Sequence, residues 1–311
     1  MPRVSVIITS YDCARFVGRA LRSALEQTYT DYEIILADDG STDDTRDVVM
    51  RCGPKVRYLY QPNRGLSAAR NLALSAATGD LIAYLDADDM WYPQKLDQQV
   101  RFLDENAHCG LVHTDVDVVD EHDQVVRPRF NHTPTREVPQ GHCLFELLRR
   151  SHMQILTVLV RHDLVQRVGL FDERLQGVQD YLQWILVAME GQAFGYIDQP
   201  LAMYRWRAGS LSSSTRRMNE DLVKMFRILL AEKALERRCG AEAAETVRDR
   251  LYELGRDLAY QDRVEGETGR ARQRLLELIR EWPLRQELYS DLLRASLPPA
   301  LVAGLRRLRG A

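Results

Sequence analysis

No stretch of this 311-residue chain reaches the roughly 18 consecutive apolar residues that a transmembrane helix needs. The N-terminus, MPRVSVIITSY, is interrupted by Ser and Thr and has neither a long apolar core nor a small-residue cleavage site, so no signal peptide is read there. Cysteine is scarce: Cys13, Cys52, Cys109, Cys143 and Cys239 are odd in number, far apart and without a CxxC pair. That argues against a disulfide framework and a thiolate zinc site, and makes reduced buried thiols in a cytoplasmic protein the expectation. No GxGxxG follows the first apolar run, where SYDCARFVG stands instead, which argues against a Rossmann oxidoreductase. A basic stripe is missing too: Met1 to Thr215 holds 22 Lys+Arg against 29 Asp+Glu, and Arg216 to Ala311 holds 20 against 16. An acidic front and a mildly basic rear do not make a nucleic-acid binder. There is no internal repeat and no low-complexity tract.

What is present is an ordinary globular composition, 45% hydrophobic and 28% charged, enough for one large domain or two smaller ones. Over the first 110 residues, short β-branched runs alternate with helix-like segments. VSVIITSY (Val4 to Tyr11), EIILADD (Glu33 to Asp39), VRYLYQ (Val56 to Gln61) and LIAYLD (Leu81 to Asp86) predict strands. Ala14 to Gln27, Thr42 to Arg51 and Ser67 to Ala77 predict helices between them, so this half reads as a parallel sheet covered by helices. From Leu111 to about Thr215 the pattern changes: LVHTDVDVVD, a hairpin around Glu121 to Gln124, a strand over Met153 to Val160, a helix after Gln179, and YIDQPLAMYRWR. After Arg216 the spacing of Met218, Leu222, Met225, Phe226, Leu229 and Leu230 predicts helices alone.

In parallel sheets, ligands sit beyond the carboxyl ends of the strands. Three of those ends carry polar groups: Thr9-Ser10-Tyr11, Asp38-Asp39-Gly40-Ser41 and Asp86-Ala87-Asp88-Asp89. In ADDGSTDDT, Asp and Gly make a turn, Ser41 or Thr42 caps the next helix, and Asp43 and Asp44 suit its first turn. Asp38 and Asp39 are left at the strand end, where a carboxylate accepts hydrogen bonds from a base N–H or a ribose hydroxyl. In QPNRGLSAARNLAL, Arg70 is either a solvated face residue or a cation turned toward the ligand edge. In YLDADDMW, Asp86 and Asp88 would project to one side of an extended strand, about twice the ~3.3 Å rise apart. Three ionised carboxylates so close repel, and a hard divalent ion shared with substrate phosphates neutralises them. An exposed acidic turn is the plainer alternative, with Asp89 as a turn residue. An EF-hand is excluded by the spacing.

These stretches, VSVIITSYDCARFVGRALRSALEQTYTDYEIILADDGSTDDT and NRGLSAARNLALSAATGDLIAYLDADD, together resemble the donor-binding half of family 2 inverting glycosyltransferases. The resemblance implies an α/β fold of the GT-A type, a Rossmann-like mixed sheet flanked by helices, with a C-terminal helical appendage. It implies three regions: a nucleotide-sugar (donor) half over 1–110, an acceptor and catalytic-base half of the same domain over 111–215, and a helical region over 216–311. By the same resemblance Thr9, Tyr11 and Asp39 hold the uracil and ribose, Arg70 lies against the nucleotide, and Asp86-Ala87-Asp88 is the DxD element. Asp86 falls on the ribose side, and Asp88, helped by Asp89, brings Mn2+ or Mg2+ to the diphosphate. VQDYLQWILVA resembles the segment carrying the catalytic base, with Asp180 in that place unless it is a plain helix N-cap. Here Gln179 precedes it where the family often has Glu. MYRWRAGSLS resembles the loop that closes over the diphosphate, with Arg207 where His is usual and Arg205 beside it. Gly169 to Glu173 resembles the lead into the acceptor side.

The implied activity is inverting transfer of a sugar, hexosyl or N-acetylhexosaminyl, from a UDP-sugar or related donor to a glycan or lipid-linked acceptor. A nucleotide-sugar binding protein without turnover and a nucleotidyltransferase remain the alternatives. After Asp291 there is no acid, while Arg294, Arg306, Arg307 and Arg309 interleave with Leu297, Leu301, Val302, Leu305 and Leu308. Such a segment lies on an anionic membrane, packs on the catalytic domain or pairs with a second copy, and the sequence leaves the three open. The expected location is cytoplasmic, with peripheral contact at the inner membrane face as the variant of the first option.

Overall fold

The computed structural model describes residues 1–131, 138–151, 153–207, 215–232 and 235–296. The chain divides into two compact units, Met1–Ser213 and Ser214–Ala311. In the first unit the elements run β1 (Val4–Ser10), α1 (Ala14–Leu25), β2 (Tyr32–Asp38), α2 (Thr45–Arg51), β3 (Val56–Tyr60), α3 (Leu66–Ser75), β4 (Leu81–Asp86) and β5 (Met90–Trp91). They continue through α4 (Lys95–Glu105), β6 (Cys109–Val119), β7 (Val125–Arg127), α5 (Leu144–Arg149), β8 (Leu159–Arg161), α6 (His162–Val168), α7 (Gln179–Met189) and β9 (Ala193–Arg205). One mixed sheet orders these strands β3-β2-β1-β4-β8-β6-β9-β5, with β7 paired to β6.

The sequence pattern explains the middle of this sheet. β1 pairs in parallel with β2 and β4, and all seven of its residues are buried. That is why VSVIITS shows no in-out alternation. On one face, α1 presses Phe16, Val17, Ala20, Leu21 and Ala24 against Val4, Val6 and Ile8. On the other, α3 buries seven of its ten residues, among them Arg70 and Asn71. β8 is antiparallel to both β4 and β6, so those two strands run the same way and their carboxyl ends share an edge.

Three expectations are corrected. The apolar stretch Met153 to Val160 is not one strand: a 3-10 turn occupies Ile155–Thr157, and the strand is only Leu159–Arg161. A largely apolar run fits a buried turn as well as a buried strand, and periodicity cannot separate them. The second helix begins at Thr45, not Thr42, because 40–44 form a loop tied to Asp12. Neither Ser41 nor Thr42 caps it; Asp43 Oδ1 accepts the Thr45 N–H at 3.0 Å, while Ser41 Oγ accepts the Asp12 N–H at 2.9 Å.

The second unit contains, among the described residues, only helices: α8 (Thr215–Ala231), α9 (Leu235–Cys239), α10 (Ala241–Val264), α11 (Thr268–Glu281) and α12 (Gln286–Ser296). Met225, Phe226, Ile228 and Leu229 form the buried stripe of α8. Asp262, fully buried on α10, is matched by Arg216 from α8 and by Arg274 from α11, the latter at 2.7 Å. Of the basic tail only Arg294 lies within the described residues; it pairs with Asp291 at 3.2 Å. Among the described residues no helix is long and apolar enough to cross a membrane.

β9 reaches the site edge by passing close under α4. A Cβ on Gly195 would meet Phe102 Cε1 at 2.1 Å and Cζ at 2.5 Å. Gly195→Ala is therefore expected to destabilise the fold by about 1–3 kcal/mol, read as a lower urea midpoint at unchanged m-value.

Candidate active site

The register of the sheet assembles the site. Thr9 lies level with Ala37 of β2 and with Asp86 of β4, so the three strand ends form one ledge. Thr9 Oγ1 donates to Asp86 Oδ1 at 3.1 Å. Beyond β1, Asp12 adopts a positive φ of 44° and accepts the Thr42 N–H at 2.7 Å, closing the β2 loop over the end of β1. Tyr11, half exposed at 52%, stands on this ledge with its ring open to solvent.

Asp38 and Asp39 are both buried and take different partners. Asp38 accepts the Ser41 N–H at 2.8 Å and the Tyr58 hydroxyl at 2.7 Å. Asp39 accepts Gln61 Nε2 at 2.6 Å and the N–H groups of Arg64 and Gly65 at 2.9 and 2.8 Å. Asp39 therefore shapes the 61–65 loop, a task the sequence reading did not give it. Gly40, at φ +83°, lets that loop come near: a Cβ there would lie 2.6 Å from Asn63 N.

Arg70 is not a solvated face residue. It is 3% exposed, and its Nη2 donates to both carboxylate oxygens of Asp86, at 2.8 and 3.1 Å. Nη1 is buried without a hydrogen-bond partner among the described residues. The guanidinium lies 5.7 Å from the centre of the Phe171 ring, which packs edge-on against Tyr84. Asn71, next in the helix, donates to Phe171 O at 3.0 Å and accepts its N–H at 2.9 Å. This makes Gly169 to Glu173 the wall behind Arg70, and Asn71 a positioning residue that only the structure identifies.

Asp88 is not on an extended strand. β4 ends at Asp86, the chain turns with Asp89 N–H bonded to Asp86 O at 3.0 Å, and the three acids part company. Asp88 accepts Arg207 Nε and Nη2 at 3.0 and 2.8 Å. Asp89, 2% exposed, accepts the Arg205 N–H at 2.7 Å, so its carboxylate fastens β9 to the turn. Burial, followed by the negative charge of Asp86, raises the Asp88 carboxyl above its usual range. Burial and both neighbouring acids raise Asp89 much further.

Arg205 is also placed differently from the expectation. Its side chain is fully buried and donates from Nε to Asp88 O at 2.7 Å, from Nη1 to Asp120 O, and from Nη2 to the Asp123 carboxylate. All three groups of the fork serve the protein, so it braces the turn at Asp86–Asp89 and the β6–β7 turn rather than facing a diphosphate. Arg207 is one-third exposed and open to the edge. The Ser positions of the same motif, Ser210 and Ser212, lie outside the described residues, as do Leu297 to Leu308 of the tail.

Asp180 sits in the first turn of α7, and Val178 is the N-cap, so Asp180 is not a plain cap. Its Oδ1 accepts the Tyr181 N–H at 2.9 Å. Burial raises its carboxyl above the ordinary range, the Arg70 charge opposes that rise, and the Asp86 charge adds to it. Asp180 thus feels the Arg70–Asp86 pair, although it lies 94 positions beyond Asp86 in the chain.

A divalent ion can be judged against this donor set. Among the described residues, no group of three or more His, Cys, Asp or Glu side chains could hold a metal. Asp88 offers one partly open carboxylate, and Asp89 is committed to β9. A single open carboxylate without a protein cage fits Mg2+ or Mn2+ that takes its remaining ligands from phosphates and water.

The model of the family described as glycosyl transferase family 2 matches residues 5–174, more than half of the chain. The chain belongs to glycosyl transferase family 2. An uncharacterized glycosyltransferase of Nostoc sp. is 40% identical over 128 residues, covering 40% of this chain and 39% of the relative. The chain thus spans well under two thirds of that relative's length. Among solved structures, S. aureus TarS 1-349 in complex with UDP-GlcNAc superposes with a TM-score of 0.60 at 18% identity, covering 94% of this chain and 89% of the other. The Pyrobaculum calidifontis mannosyltransferase PcManGT, in complex with GDP-Man and Mn2+, gives 0.57 at 20%, covering 95% and 86%. At these identities the likeness establishes the GT-A fold: a mixed sheet flanked by helices and followed by C-terminal helices.

Within this family 2 site, the fork of Arg205 sets up a direct test. Arg205→Leu takes the donor from Asp88 O and one of two partners each from Asp120 O and the Asp123 carboxylate, which keep the Asp123 N–H and Arg19, and is expected to cost about 1–3 kcal/mol of stability in denaturant unfolding. A loss under about 0.5 kcal/mol, the range of a free surface residue, would return Arg205 to the ligand side.

Proposed function

We propose that this chain is an inverting glycosyltransferase that moves a sugar from a nucleoside diphosphate sugar, a UDP-sugar first, to a hydroxyl of a glycan or lipid-linked acceptor. The observation that carries the reading is Asp180: a half-buried carboxylate with a raised pKa, coupled to the Arg70–Asp86 pair at the carboxyl edge of the sheet. Family membership and the nucleotide sugars bound by the two structural neighbours support the donor class.

In this reading, Tyr11 and Thr9 form the ledge for the base and ribose, and Asp39 holds the 61–65 loop against them. The free Nη1 of Arg70 gives the nucleotide side a buried cationic donor. The acceptor oxygen attacks the anomeric carbon, and its proton passes to Asp180. The bond from that carbon to the diphosphate oxygen breaks with its electron pair going to the departing nucleoside diphosphate. One in-line displacement inverts the centre and needs one base, unlike the carboxylate pair of a retaining hydrolase. Burial suits Asp180 to this work, since a carboxylate with a raised pKa is the stronger base. Arg207 supplies positive charge at the diphosphate end. A Mg2+ or Mn2+ ion held at Asp88 supplies Lewis-acid stabilisation of the charge growing on the leaving group.

Asp180→Asn is expected to lower transfer by about 10²–10⁴-fold while leaving UDP binding within a few-fold of the parent. Full transfer activity in that variant would sink the base assignment. Release of pyrophosphate instead of a nucleoside diphosphate would identify a nucleotidyltransferase, and UDP binding without any turnover a binding protein.

The pH profile has a definite sign. The base must be ionised, so the rate falls as pH drops through the Asp180 pKa. Because burial raises that pKa, the acid limb of kcat/KM is expected above the ordinary carboxylate value of about 4.

A further inference from the structure

Arg207 occupies the carboxylate that the metal would need. Its Nε and Nη2 both reach Oδ2 of Asp88, at 3.0 and 2.8 Å. The guanidinium rests 5.5 Å from the centre of the Phe16 ring, and Arg205 lies 4.8 Å from the same ring. Phe16 is buried on α1 and Arg205 is locked by three acceptors, so Arg207 leans on a fixed support. Arg207 itself is the least tied member, with a side chain 37% exposed and Asp88 as its ion-pair partner.

Both acids that face the edge are already paired: Arg70 with Asp86 and Arg207 with Asp88, while Asp89 is held by the backbone N–H of Arg205, whose guanidinium goes to Asp123. A divalent ion arriving alone must either displace the two charge-assisted hydrogen bonds on Oδ2 or sit on Oδ1 beside a guanidinium of like charge. An ion arriving with a diphosphate gives that guanidinium a new anion at the same moment.

We propose that Arg207 is a resident counter-ion of Asp88 that competes with the divalent cation and yields the carboxylate only when a diphosphate takes Arg207 in exchange. This rests on the reading of the site as one for a nucleoside diphosphate and a metal. The consequence is synergy: Mn2+ alone binds poorly, UDP and Mn2+ together bind well, and the coupling belongs to one side chain.

The test is Mn2+ binding, followed by electron paramagnetic resonance on the full chain, with Mn2+ alone and then with UDP. Arg207→Ala and Arg207→Gln are both expected to bind Mn2+ alone about tenfold more tightly than the parent, the scale of a half-buried two-donor ion pair. The gain is expected to vanish when Asp88→Asn is added, and Mn2+-supported UDP binding is expected to weaken in both single variants. Equal Mn2+ affinity in the parent and both variants overturns the proposal, as does a gain that survives Asp88→Asn. UDP binding unchanged in both variants overturns the exchange with diphosphate. If the parent binds no UDP even with Mn2+, the glycosyltransferase reading fails, while the comparison with Mn2+ alone still decides whether Arg207 guards Asp88.

Discussion

Three carboxylates within four residues at the end of a buried strand set the central constraint on this molecule. Left to themselves they would repel and take up protons. Two are met by guanidinium groups, Asp86 by Arg70 of α3 and Asp88 by Arg207 just beyond β9, while Asp89 accepts the backbone N–H of Arg205 at the end of β9. Much of the first unit can be understood as the means of bringing these three arginines to the turn. The close passage of β9 under α4, the wall from Gly169 to Glu173 behind Arg70, and the β6–β7 turn that engages Arg205 all serve that end.

The three arginines differ in burial, and that difference divides their work. Arg70 and Arg205 are sealed in, so their contacts are structural as well as electrostatic, and removing either leaves buried groups unpaired. Arg207 is partly in solvent, where an ion pair is weaker and can be exchanged. A rigid pair beside a labile one would let the site keep its shape while one of its charges changes partner, as proposed for Arg207. The raised pKa of Asp180 comes from the same economy: the helix that carries it is buried, and the nearest positive charge is already shared with Asp86.

The helical unit shows the same use of a buried acid on a smaller scale, with Asp262 collecting Arg216 and Arg274 from two other helices. There the contacts hold the unit together. In the first unit they hold a site.

The sequence alone determined the alternating strands and helices of the first 110 residues, because buried parallel strands and amphipathic helices leave local periodic marks. It also determined that polar strand ends would meet at one edge, since a parallel sheet brings carboxyl ends together. Asp39, Asp88 and Asp180 were legible as candidates through the resemblance of their surroundings, and Arg70 was narrowed to two roles. What only the tertiary structure decided was which atoms each candidate touches. Asp89 faces a backbone N–H of β9 and Arg205 faces the Asp88 carbonyl, because strands more than a hundred residues apart are adjacent in space; Asp39 faces a loop that β2–β3 pairing brings back to its strand end. The stretch from Met153 to Val160 resisted reading for the opposite reason. It is apolar at six of its eight positions and buried at seven, and such a segment carries no period from which its backbone could be inferred.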